Sequence, residues 1–363
     1  MNKIPKYLIG LIATAVGVFL IWYFRDIVAY MLVAAVLAII GKPLMEKLVR
    51  IRLGQKHLPR WAASLMTLLI MWIVIVAFFV TFIPLIASKL HELSTLGAWM
   101  LSDSFTEPLV RLQNFIRDTL SIEGDFSLTG ALLAAVKEAL NLNVINQLVG
   151  SIVSVIGDTA VALFSITFIT FFFLKEDNLF TEMIVTLAPR RYEQNIRHAM
   201  ESITRLLIRY FTGILAESTI LFTLVSVVLL LFGMGPANAF FLGMIVGVLN
   251  VIPYIGPLIA ACICIFIGML SPIGAASPFD MLLIVGGTVA ASQLLDNVVL
   301  QPVLYSNSVK AHPLEIFIVI LAAGSIGGVL GMLIAIPSYN VIRVFAKEFF
   351  NRFRVVQKLT EKM

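Results

Sequence analysis

From Trp61 to Ala87 the chain runs 27 residues without one charged side chain. As a helix rising 1.5 Å per residue, that run is about 40 Å long, enough to cross a bilayer with tilt. It has company: hydrophobic residues are 60% of the 363 and charged ones 13%. An ordinary globular domain carries about 25% charge. A chain with mean hydropathy +0.99 cannot cover its own surface in water, so lipid is its solvent. In lipid the backbone must satisfy its own hydrogen bonds. The expectation is an all-α polytopic membrane protein with six to eight transmembrane helices.

The net charge of +5 does not point to nucleic acid, because the basic residues cluster beside apolar spans without interleaved aromatics. They read as loops held on the cytoplasmic side. Gly41 to Arg60 carries Lys42, Lys47, Arg50, Arg52, Lys56 and Arg60 against Glu46 alone, which places that loop in the cytoplasm. Before it, apolar runs at Tyr7–Phe24 and Ile27–Ile40, separated by Arg25-Asp26, predict a helical hairpin with a cytoplasmic N-terminus. Residues 1–88 thus form an N-terminal region of three spans. Residues 89–150 hold four basic and seven acidic residues; with Leu109, Leu112, Phe115 and Ile116 at helical spacing, they predict amphipathic helices outside. Residues 151–209 supply a fourth span, Ser151–Leu174, then an amphipathic cytoplasmic helix leading into a fifth span, Tyr210–Phe232. A basic cytoplasmic tail occupies 346–363, within a basic run that starts at Arg343.

Residues 210–345 are the expected transport core, because 210–342 holds one basic residue, Lys310, and four acids, Glu217, Asp280, Asp296 and Glu315. Two apolar blocks there, 237–270 and 313–345, are broken in the middle, at Asn250–Pro257 and at Gly324–Gly328. Proline removes a backbone donor and glycine permits reversal. Non-helical backbone at membrane depth persists only where protein or a watery cavity satisfies it, and matched interruptions point to a transport site. Either both blocks are broken full spans, giving eight crossings, or both are re-entrant hairpins around a single span, Met281–Leu300, giving six. The placement of Lys310 favours hairpins.

These residues carry a resemblance. Asn250-x-x-Pro253-Tyr254-x-Gly256-Pro257, Asp296-Asn297-x-x-Leu300-x-Pro302, His312-Pro313 and Ile336-Pro337 resemble the bacterial autoinducer-2 exporter family over the whole chain. The resemblance implies a multi-pass inner-membrane transporter that is homo-oligomeric. Its members are associated with export of autoinducer-2 or with sodium/proton exchange. No cofactor is implied.

The candidate pathway residues are Asn250, Pro253, Tyr254, Gly256, Pro257, Asp296, Asn297, Gln301 and Pro302. Unwound carbonyls at 250–255 and the helix start after Pro257 would present opposite dipoles to cargo; the plainer reading is a kinked helix. Glu217 and Asp296 are the ion-coupling candidates, since an intramembrane carboxylate is costly; Glu217 is otherwise a glutamate bonded to a neighbouring helix. Gln293, three residues before Asp296, shares its helical face. Around Asp296 the competing reading is a solvated helix end. Asp158 is an interfacial residue, His312-Pro313-Leu314-Glu315 a helix start, and Ser325 and Tyr339 candidates for hydroxyl contact. Gly243-x-x-x-Gly247, Gly324-x-x-x-Gly328 and Gly327-x-x-x-Gly331 are packing ridges. Cys262 and Cys264, at i and i+2, face apart and predict no disulfide.

Enzyme motifs are missing from the sequence: no His-Glu-x-x-His, no Gly-x-Ser-x-Gly, no phosphate-cradling loop. The expected cargo is a small polar solute, or a monovalent cation exchanged for protons. The remaining alternative is a membrane scaffold working through residues 89–150.

Overall fold

The computed structural model describes residues 16–17, 19–20, 22–53, 56–95, 110, 113–114, 160–176, 178–271, 273, 277–305 and 312–350. Most of the amphipathic insertion, with Leu109, Leu112, Phe115 and Ile116, lies outside the described residues, as do Asp158, Lys310 and the tail beyond Phe350. The protein is an all-α polytopic membrane protein. The described segments 25–49, 60–89, 190–231 and 279–304 are long and apolar enough to cross a bilayer, and shorter apolar helices accompany them. A two-residue antiparallel pair, β1 (Arg52–Leu53) on β2 (Lys56–His57), closes the basic loop.

The chain forms two compact units, residues 1–76 with 151–200 and residues 77–150 with 201–363. In the first, α1 (Arg25–Val49) packs along α3 (Ala160–Lys175) and beside the start of α2 (Arg60–Thr95). Small residues allow this: Ala34, Ala35, Ala38 and Gly41 are buried on one side of α1. A Cβ on Gly41 would stand 3.0 Å from Met71 Sδ and 3.1 Å from Thr67 Cγ2. Several polar side chains find partners within the unit, although the buried Ser64 hydroxyl has none among the described residues. Thr170 Oγ1 donates to Ile166 O at 2.6 Å, and Trp72 Nε1 donates to Thr167 Oγ1 at 3.2 Å. Beyond α3, α4 (Leu179–Leu187) is tied to the first turns of α5 (Glu193–Leu231) by Arg197, which bridges Glu182 and Glu193.

The structure corrects the N-terminal hairpin. Phe24 N–H donates to Leu20 O at 2.9 Å and Val28 N–H to Phe24 O at 3.0 Å, so the chain passes Arg25-Asp26 in helical register without reversing. Phe24, φ −98° and ψ 27°, departs from helical geometry, but neither proline nor glycine stands there to reverse the chain. The amphipathic segment and the fifth span, by contrast, merge: α5 is one helix of 39 residues, about 58 Å long.

In the second unit α6 (Pro236–Leu249) and α7 (Ile255–Met269) pack side by side. Cys264 Sγ lies 3.5 Å from Leu242 O, which pairs residues equidistant from Pro253 and makes the two helices an antiparallel hairpin. Next, α8 (Pro278–Leu295) continues through a π-helical turn, Asp296–Leu300, into α9 (Gln301–Tyr305). Its start is closed by a capping box between Ser277 and Asp280. Finally α10 (Pro313–Phe350) folds back on itself at Gly328, φ 57° and ψ −141°. Ile316 and Ile320 on its first arm share a buried cluster with Ala335 and Ile336 on its second, again an antiparallel arrangement. Both broken blocks are therefore hairpins in their own geometry. The buried centre of this unit runs through Leu221, Leu229, Leu242, Cys264, Met281 and Val285, with Phe82 and Leu85 of α2 against it.

Arg343 does not begin a tail. It is 6% exposed, within α10, with its guanidinium 5.8 Å from the Tyr339 ring centre.

Candidate functional site

The site is built by close helix approach. On α6, Gly243 and Gly247 face α5: a Cβ on Gly247 would lie 2.7 Å from Ser218 O, and one on Gly243 would be 2.6 Å from Phe222 O. The ridge read as packing in the sequence thus brings two backbones together, antiparallel, and its register sets Asn250 against Glu217. Asn250 Nδ2 donates to Glu217 Oε1 at 3.1 Å, with both residues buried, at 6% and 4% exposure. Tyr210 and Ile214, two turns and one turn earlier on α5, join a cluster with Ile316, Ile320, Ala335 and Ile336 of α10. Val251 and Ile255, flanking the α6–α7 turn, pack on that cluster with Tyr339. One short stretch therefore joins α5, the tip of the first hairpin and the arms of the second.

The tip is strained. Tyr254 has φ 65° and ψ −54°, and Ile255 N–H donates to Pro253 O at 2.8 Å. This three-residue turn of the rare γ type costs a bulky residue about 1–3 kcal/mol. The reversal is made possible by Gly256, where a Cβ would collide with Leu249 O. Pro257 and Pro253 are half-buried, and Tyr254 is exposed with its ring 6.3 Å from that of Phe317.

Asp296 is completely buried, and the helix runs on past it, which overturns its reading as a solvated helix end. Gln301 Nε2 donates to its Oδ2 at 2.8 Å and Gln293 Nε2 lies 3.4 Å from the same oxygen. Gln293 is three residues away, on the same face as the sequence suggested. Gln301 is five residues away, a spacing that an α-helix turns well off that face. The π-turn, in which Gln301 N–H donates to Asp296 O, brings it back. Such turns recur at functional sites. Along α7 and α8, a Cβ on Gly268 would be 2.6 Å from Val285 Cγ2. Glu217 and Asn250 thus meet across two elements, and Asp296 is buried on a third.

The other expected residues divide. Asn297 and Pro302 are exposed, unlike the buried Asp296. Ser325 is exposed near the Gly328 turn, its hydroxyl donating to Ala322 O at 2.8 Å, so it is not brought to the site. His312 closes the start of α10: Leu314 N–H lies 3.3 Å from its Nδ1, and its own N–H lies 3.3 Å from Glu315 Oε2. Asn340, 2% exposed, went unread, and Arg343, 6% exposed, was read only as the start of the basic run. Their position three residues apart on the arm that carries Tyr339 was the available signal. Among the described residues no three His, Cys, Asp or Glu side chains gather as a metal site.

Comparison with known proteins gives a consistent picture. A family model described as "AI-2E family transporter" matches residues 11–351. "Putative transport protein YueF" of Bacillus subtilis (strain 168) is 28% identical over 338 residues, covering 90% of this chain and 84% of that protein. "Putative transport protein YrrI" of the same organism is 30% identical over 185 residues, covering 51% of this chain and 50% of that protein.

Proposed function

The chain belongs to the AI-2E family of transporters, and on that premise we propose that it exports a small polar molecule of the autoinducer-2 kind across the bacterial inner membrane. The observation that carries this reading is the buried Glu217–Asn250 pair, 3.1 Å apart at the tip of the α6–α7 hairpin. A carboxylate and a carboxamide at membrane depth cost stability and are kept where they serve a pathway. Together they offer an acceptor and a donor, the complement of a polyhydroxylated solute. The helices of this hairpin, 14 and 15 residues long, measure about 21–23 Å, short of the roughly 30 Å hydrocarbon core. The hairpin enters the membrane without crossing it and carries the pair to depth. Pro253, Gly256 and Pro257 form the turn that presents the pair, and movement of the hairpins gives alternating access. The protein works as a homo-oligomer and draws on an ion gradient, in keeping with a sequence that has no nucleotide loop.

The test is efflux of labelled autoinducer-2 from vesicles holding the purified protein. Glu217→Gln and Asn250→Ala should each lower the rate at least tenfold while the protein stays folded. Equal rates with and without protein would sink the reading. A second reading, exchange of sodium or lithium for protons, is favoured by the fully buried Asp296. It predicts a cation-triggered pH change in everted vesicles that Asp296→Asn abolishes.

A further inference from the structure

We infer that Asp296 is a proton-exchange site and that Oδ1 is the atom that takes and gives up the proton. The two oxygens of this carboxyl are not equivalent. Oδ2 faces the amide N–H groups of Gln301 and Gln293, at 2.8 and 3.4 Å. Oδ1 is buried with no hydrogen-bond partner among the described residues. A buried acceptor without a donor is expensive, and more so when it carries charge. Proteins satisfy nearly all such groups; of the buried side-chain atoms without a partner here, Oδ1 is the one that belongs to an acidic group, which makes it the one that can take up a proton.

The chemistry around Oδ1 selects the ligand. Sodium and lithium, like other hard cations, require several oxygens around them. Here both carboxamides turn N–H groups toward the carboxyl, and the side chain offers one open oxygen. One oxygen suffices for a proton. The hydrogen-bond partners of the carboxyl among the described residues are Gln301 and Gln293, both on its own helical stretch. The helix packed along α8, α7, carries no acidic or basic residue. Its titratable groups are Cys262, which is exposed, and Cys264, whose thiol meets Leu242 O. The next element, α9, contains Tyr305, and the other buried carboxyl among the described residues, Glu217, is bonded to Asn250. The π-turn supplies the arrangement, because it sets Gln301 on Oδ2 and leaves Oδ1 free.

The inference rests on the transport reading only for the use made of the proton, so its test measures no transport. Dicyclohexylcarbodiimide reacts with protonated carboxyls in apolar surroundings. The carboxyl proton passes to a carbodiimide nitrogen, the carboxylate oxygen bonds to the central carbon, and the adduct rearranges to a stable acylurea. The full-length protein in liposomes is treated with this reagent and its peptides are mapped by mass. The expected result is an adduct on Asp296 that grows as pH is lowered, persists in high sodium or lithium, and is lost in Asp296→Asn. Infrared difference spectra supply a second readout: a carboxylic-acid carbonyl band that is absent in Asp296→Asn. Suppression of the adduct by sodium or lithium would overturn the inference and make Oδ1 a cation ligand. Absence of both adduct and band in folded wild-type protein would overturn it outright. A protein that labels as expected yet moves no autoinducer-2 would remove the cargo reading and leave this one standing.

Discussion

Two apolar blocks of nearly equal length, 34 and 33 residues, both fold into hairpins, yet they are turned by different means. The first leaves helical geometry across Asn250–Tyr254 and resumes at Ile255; the second reverses at Gly328 alone. Both use a glycine just past the turn to bring the arms together. A Cβ on Gly256 would collide with Leu249 O, and one on Gly331 with Ala323 O. The difference lies in what surrounds the tip. Asn250 and Ile252 are buried at the first tip, whereas Ile326 and Val329 are 89% and 62% exposed at the second. Pressed onto α5 by Gly243 and Gly247, the first tip sets a polar side chain against Glu217. The second tip is apolar, and its buried polar residues, Asn340 and Arg343, lie far down its arm. Similar turns can therefore do different work, depending on which neighbour the arms approach.

That contrast can be broken where the two hairpins agree. Gly256→Val and Gly331→Val should each cost about 3 kcal/mol or more, since a backbone carbonyl cannot step aside. Thermal unfolding in detergent measures this. Gly327→Ala, where no atom lies within 4 Å of the added Cβ, should stay within about 0.5 kcal/mol.

The next effect is confined to the first hairpin. Gly247→Ala should cost about 1–3 kcal/mol by overpacking α6 on α5. It should also reduce transport as severely as Asn250→Ala, because it lifts Asn250 away from Glu217. Full transport by folded Gly247→Ala protein would separate the pair from the pathway.

The turns themselves should respond with opposite sign. Tyr254→Gly relieves a positive φ and should stabilise the protein by about 1 kcal/mol. Gly328→Ala, at φ 57° and ψ −141°, should destabilise it by about 1–2 kcal/mol. Melting curves of both variants, collected together, check the signs.

The smallest effect lies outside both hairpins. Hydrogen bonding to Arg197 holds the Glu182 carboxyl below its ordinary range. A carboxylate lowered in the folded state contributes stability at neutral pH, and that contribution is lost as pH falls through its folded value. This exposed pair should make Arg197→Ala slightly less stable than wild type at neutral pH. The difference should vanish in acid or in high salt.

Much of this was legible in the residues. Charge-free runs marked the long helices, and the Asn-Pro-Tyr-Gly-Pro and Gly-Ser-Ile-Gly-Gly interruptions marked both turns. His312-Pro313 marked the start of α10. The Arg25-Asp26 hairpin was misread because a charged pair was taken as a break where no residue opposes helix. Gln301 was named as a polar residue closing the Met281 span, but its meeting with Asp296 depends on a π-turn with no compositional signature.

Membrane residence and helicity follow from local rules, since transfer into lipid and backbone hydrogen bonding act on each segment separately. The positions of the breaks follow likewise, from the backbone chemistry of proline and glycine. Which side chains meet is a different kind of fact. Asn250 reaches Glu217 because two glycines let α6 and α5 touch, and Asp296 is dry because helix α8 continues past it into α9. Both depend on the register of elements far apart in the chain, a register chosen by the packing of whole surfaces.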